Sequence, residues 1–133
     1  MKTQVIIERG VDGLYSAYIE SNDLPFGILG EGATVKETIE DFYGGYEDMR
    51  DYYMDTGKEF PEVEFEFKYD MPSFLQYYAY AFTLSGLERI TGVNQRQLSH
   101  YINGVKKPSE KTVRKIEGRI HSFGQEISSA NFI

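Results

Sequence analysis

Residues 84–116 carry apolar side chains at Leu84, Leu87, Ile90, Val93, Leu98, Tyr101, Ile102, Val105, Val113 and Ile116, a series that fits no single long helix. It fits short helices broken at Gly92, Gly104 and Pro108. Gly92 follows a helical run, at the position where a left-handed C-cap favours a residue without Cβ. Asn94 then offers an N-cap for a second helix, and Gly104 closes that helix in the same way. The local pattern is helix, tight turn, helix.

The polar residues of the second helix give the pattern a use. Gln95 and Arg96 fall in its first turn and His100 one turn later, while Leu98, Tyr101 and Ile102 point inward. A helix presented to the major groove reads base edges with such residues, because Gln matches adenine and Arg matches guanine. Lys106, Lys107 and Lys111 follow, placed to meet phosphates. The plainer alternative is a small helical bundle with ordinary solvated polar residues. The stretch resembles the Xre/Cro-type helix-turn-helix family, whose pattern is a helix, G-V-x-Q, a recognition helix, N-G, and a basic run with Pro before another helix.

Net charge over the 133 residues is −7, which by itself argues against nucleic acid as a partner. Dividing the chain after Asp70 reverses that. Residues 1–70 hold 6 Lys/Arg and 17 Asp/Glu, net −11, whereas residues 71–133 hold 8 and 4, net +4. A basic helical half can approach phosphates, and an acidic half is suited to a basic protein. Apolar residues make up 41% and aromatic residues 15%, enough for one or two small cores. The absence of Cys excludes disulfides, a thiolate nucleophile and Cys-ligated metal. The sequence contains no charged segment leading into a short apolar one and no apolar run of about 18 residues, so a soluble, cytoplasmic protein is expected.

The first half alternates as a sheet protein does. Residues 2–9 and 14–20 read as strands joined by the turn Gly10-Val11-Asp12-Gly13, and residues 26–30 as a short third strand. Gly27, Gly30 and Gly32 lack the spacing of a phosphate loop and are expected to serve turns. Thr34-Val35-Lys36-Glu37 is a capping box opening a helix. Its apolar face is Val35, Ile39, Phe42, Tyr46, Met49 and Tyr53, and its remainder is acidic. Gly44-Gly45 inside it implies close packing against a sheet, or a kink. Residues 61–70 alternate Val63, Phe65, Phe67 and Tyr69 against Glu62, Glu64, Glu66 and Lys68, one more strand. The order is β-β-β-α-β, followed by an all-α half: a helix at 74–81 rich in aromatics, the helix pair, and a last helix from about Glu110 to His121 capped by Ser109, with a tail beyond. Those aromatics serve either a core or a dimer or interdomain contact.

With both halves placed, the chain resembles the HicB family of antitoxins. The resemblance rests on the opening hairpin, the Leu24-Pro25-Phe26-Gly27 loop, the run Gly30-Glu31-Gly32-Ala33-Thr34-Val35-Lys36-Glu37, Phe60-Pro61 before the last strand, and the helix-turn-helix of the second half. It implies an α+β protein with a degenerate ribonuclease-H-like β-β-β-α-β domain at 1–70 and a helix-turn-helix domain at 71–133. Gly44-Gly45 departs from the family's usual helix. The resemblance further implies an antitoxin that neutralises a small basic HicA-like mRNA-cleaving toxin and represses its own operon, as a homodimer or higher even oligomer on operator DNA. By position in the motif, Gln95, Arg96 and His100 would read bases, and Asn94, Ser99, Lys106 and Lys107 would touch the DNA backbone. A stand-alone transcriptional regulator with an oligomerising or ligand-binding first domain is the alternative. A residual metal-dependent nuclease is a third reading, with Glu8 or Asp12, Glu20, Glu40 and Asp70 as its carboxylates. These form no close motif, and His100 and His121 lie apart in the basic half, so no catalytic residue, metal or cofactor is expected.

Overall fold

The computed structural model describes all residues, Met1–Ile133. The protein is α+β, with four strands in one mixed sheet and five helices. Contacts divide it into two compact units, Met1–Ser73 and Phe74–Ile133.

In the first unit β1 (Lys2–Arg9), β2 (Tyr15–Ile19), β3 (Leu29–Gly32) and β4 (Glu64–Tyr69) take the order β3-β2-β1-β4. β1 pairs antiparallel with β2, β2 antiparallel with β3, and β1 parallel with β4. The parallel pair requires a crossover, which α1 (Val35–Asp55) supplies. Alternation sets one side of the sheet beneath the helix. Thr3, Val5, Ile7, Tyr15 and Ala17 are buried there against Phe42 and Tyr46, and the Phe42 ring meets Phe65 and Phe67 edge-on at 4.9 and 5.5 Å.

The Thr34 half of the capping box forms as the sequence predicts, while the Glu37 carboxylate reaches one residue further back, to Ala33 instead of the N-cap N–H. The N–H of Glu37 donates to Thr34 Oγ1, and Glu37 Oε2 accepts from the N–H of Ala33. Further along, Asp41 Oδ2 accepts from the N–H of Glu31 at 2.8 Å, tying β3 to the helix. The third strand lies at 29–32, not at 26–30, and two of the glycines assigned to turns lie within it. A Cβ on Gly30 would stand 2.5 Å from the Thr38 carbonyl oxygen and 2.6 Å from the Phe42 nitrogen, and one on Gly32 would stand 2.9 Å from the Thr38 nitrogen. These glycines let the helix backbone rest directly on the strand. Of the Gly44-Gly45 pair, a Cβ at 45 would meet Ile28 Cγ2 at 3.0 Å, whereas one at 44 would meet nothing. Close packing therefore accounts for Gly45 and not for Gly44.

The second unit is helical. α2 (Met71–Tyr77) begins at the end of the first unit, where Asp70 Oδ2 accepts from both the N–H and the hydroxyl of Ser73. α3 (Leu84–Thr91), α4 (Gln95–Ile102) and α5 (Glu110–Ser128) follow. Their core is Leu75, Leu87, Val93, Leu98, Tyr101 and Ile116. α5 is capped by Ser109, as expected, and runs on past His121 to Ser128, through Gly118 and Gly124. The tail beyond the helix is correspondingly short.

Candidate nucleic-acid interface

The α3–α4 pair is built around one turn. Thr83 caps α3, accepting from the N–H of Gly86 at 2.9 Å. Gly92 ends the helix with φ of 73°, a left-handed conformation that costs a glycine little. The buried Thr91 hydroxyl donates to the Leu87 carbonyl at 2.7 Å and accepts from the N–H of Val93 at 3.1 Å. Val93 is itself buried, which sets the entry direction of α4.

Two acceptors serve the first turn of α4. Asn94 Oδ1 accepts from the N–H of Arg96 at 2.8 Å, and Glu88 Oε2, from α3, accepts from the N–H of Gln95 at 3.0 Å. At the other end Gly104, with φ of 73°, turns the chain. The N–H groups of Val105 and Lys106 both donate to the His100 carbonyl. Gln76 Nε2, from α2, donates to the Ile102 carbonyl at 2.7 Å.

Leu98 and Tyr101 point into the core, so the opposite side of α4 is presented outward. At 100° per residue that side holds Gln95, Ser99, Asn103, Arg96 and His100 in angular order. Gln95 and Arg96 are exposed, and Ser99 and His100 are partly so. Asn94, Lys106 and Lys107 are exposed at the two ends of the helix. The structure thus brings the three base-reading candidates to one helix face and sets the backbone candidates around it. Gln97 is turned inward, its Nε2 donating to the Tyr101 hydroxyl at 2.6 Å.

Three more residues belong to this region. Asn103 Nδ2 donates to Ser99 Oγ at 3.2 Å and shares the centre of the face with it. Its i+4 spacing from Ser99 is a signal the sequence contains. Glu88 places a carboxylate at the leading end of α4, and only the folded turn reveals that. Lys115 brings its Nζ to the turn, 3.7 Å from where a Cβ on Gly92 would sit. That contact joins residues more than twenty positions apart, and no local pattern announces it.

The charge is divided as the structure is divided. Residues 71–73 are uncharged, so Met1–Ser73 carries −11 and Phe74–Ile133 carries +4. In the first unit Glu47, Asp48, Asp51 and Asp55 are exposed along α1, with Arg50 among them bonded to Glu62 at 3.2 Å. The hydrogen bond to Glu62 leads the causes that hold the Arg50 pKa above its ordinary value. No three Asp, Glu or His side chains come together in a way that could hold a metal ion. No helix is long and apolar enough to cross a membrane. Comparison of the chain with protein-family models, with curated proteins and with solved structures finds no match.

Proposed function

We propose that the chain is an antitoxin that neutralises a small basic HicA-like mRNA-cleaving toxin through its acidic first unit and represses its own operon through its second. The carrying observation is the division of charge between two compact units, the positive one presenting Gln95, Arg96 and His100 on one face of α4. A positive unit with an exposed polar helix suits DNA, and a unit at −11 suits a cationic protein. In this reading α3 and α4 form a helix-turn-helix, with Asn94, Ser99, Lys106 and Lys107 on phosphates. The first unit is a degenerate ribonuclease-H-like domain, a reading supported by the order β3-β2-β1-β4 with α1 crossing between β3 and β4. The protein acts in the cytoplasm, without enzymatic activity, as a homodimer or higher even oligomer whose recognition helices reach half-sites about 34 Å apart.

A gel shift on the DNA upstream of the gene tests the second unit. Arg96→Ala should cost about 1–3 kcal/mol and relax the preference at one base pair, while Lys106→Ala should weaken all sequences alike and lower the salt slope by about 1. Unchanged binding by Arg96→Ala removes that residue from the interface. Co-expression tests the first unit. The chain should relieve growth arrest caused by a small basic protein encoded beside it; persistent arrest with both proteins soluble defeats the antitoxin reading.

A further inference from the structure

The side of the sheet opposite α1 carries nothing over it within the first unit. Register places Leu29, Tyr18, Ile6 and Lys68 side by side in one row across all four strands. Leu29 is 58% exposed, and Ile6 and Tyr18 are partly exposed. On one flank of this row Glu31 pairs with Ser16 and Ser16 with Glu8. On the other flank Gln4 pairs with Glu66, with Glu64 beyond. Glu8, Glu31, Glu64 and Glu66 are all exposed, and the ion pair on this face, Lys68 with Glu66, is long at 4.0 Å. The face is therefore an apolar row of Leu29, Tyr18 and Ile6, ended by Lys68 and flanked by carboxylates, of which Glu8 also accepts a hydrogen bond from the Tyr18 hydroxyl.

From this geometry we infer that the open sheet face is where the acidic unit takes a basic partner, and that the occupant is a cationic amphipathic helix laid across the strands. This rests on the proposed binding of a basic protein and names its surface. The dimensions fit: Leu29 to Ile6 spans two strand spacings, about 10 Å, and apolar residues at i and i+7 of a helix are about 10.5 Å apart. Lysines and arginines on the helix flanks then overlie Glu8 and Glu31 on one side and Glu66 on the other, each about 7 Å from the row. The outer side of α1 is also acidic, but Tyr43, Tyr52 and Met54 are scattered along it and form no comparable row.

Titration of isotope-labelled full chain with an amphipathic helical peptide of leucine and lysine tests this, with a peptide of the same composition and scattered leucines as control. The amphipathic peptide should perturb Ile6, Tyr18 and Leu29, and Glu8→Lys combined with Glu66→Lys should weaken it at least about tenfold, roughly 1.4 kcal/mol. Leu29→Ser, at an exposed position, should also weaken it and guards against a folding defect in the charge-reversed protein. Perturbations centred on Glu47, Asp48 and Asp51 of α1, or equal binding of the control peptide, overturn the inference. So does a shift of Arg114 and Arg119 resonances on charge reversal without peptide, because the occupant is then the chain's own basic unit. If growth rescue fails while the peptide still maps to the sheet face, the toxin reading falls and the docking face stands.

Discussion

The Glu88 carboxylate on α3 accepts the backbone N–H of Gln95 at 3.0 Å, so the leading end of the candidate recognition helix is held by a side chain from the helix before it. A carboxylate at a helix N-terminus is favourable, through the amide hydrogen bond and the helix dipole. It also places a negative charge where DNA phosphates would approach. Glu88→Ala should cost about 1 kcal/mol, which for a unit of this size lowers Tm by about 4–8 °C. Glu88→Gln keeps an acceptor and removes the charge, so under the proposed DNA-binding role it should bind operator DNA several-fold tighter at low salt than the parent protein. Weaker binding by Glu88→Gln at a temperature where both are folded would show that the charge is needed to hold Gln95 in place.

Two buried threonines should respond with opposite signs to the same change. Thr91 uses its hydroxyl twice, toward Leu87 and Val93, and Thr91→Val leaves both groups without that partner at a cost of about 1–3 kcal/mol. Thr3 is 2% exposed and its hydroxyl has no hydrogen-bond partner. Thr3→Val removes a buried unsatisfied group at nearly constant shape and should stabilise by about 1 kcal/mol. Denaturant unfolding followed separately for each unit would register both.

Gly30 and Gly44 form a second contrast. Gly30→Ala pushes a methyl into the backbone of α1 and should destabilise the first unit by at least about 1–3 kcal/mol. Gly44→Ala enters open space within a helix and should stabilise it by about 1 kcal/mol. Thermal melts of the two variants should move in opposite directions.

Tyr18 should make the first unit sensitive to alkali. Its pKa lies above 10.0, raised by burial, then by the charges of Glu8, Glu20 and Asp70 and by the hydrogen bond to Glu8. The folded protein thus holds the phenol proton more tightly than the unfolded chain does. That contribution to stability is complete below pH 10.0 and is lost as pH rises through the folded pKa. Tyr18→Phe should flatten the alkaline fall in stability, and the difference between parent and variant ultraviolet titrations should have its midpoint above 10.0. A midpoint at or below that value would separate Tyr18 from the carboxylates.

What the sequence made legible is what is local. The Thr34–Glu37 cap, the Gly92 and Gly104 turns and the Asn94 cap each depend on residues within four positions of one another, and each is found where the spacing places it. Gly30 and Gly32 were opaque because their requirement comes from a helix that packs on them. The parallel pairing of β1 with β4 joins residues some sixty positions apart, and alternation reveals each strand but not its neighbour. The extension of α5 past His121 was hidden by Ser122 and Gly124, poor helix formers directly after that position. At the candidate interface the exposed residues of α4 followed from periodicity, whereas Glu88 and Lys115 arrive from other helices.

The bond from the Glu31 N–H to Asp41 has a bearing on the protein's behaviour at high concentration. β3 is an outer strand, and such strands offer their free amides to any extended chain that passes. Here one of those amides is already occupied by a carboxylate from α1. A fifth strand from another copy would have to displace Asp41, strand its negative charge against the incoming backbone carbonyls, and do so beside Glu31 and Glu37. The sheet is thus guarded against runaway self-pairing on that side by a single aspartate, and an asparagine there would leave the guard with its hydrogen bond but without its charge.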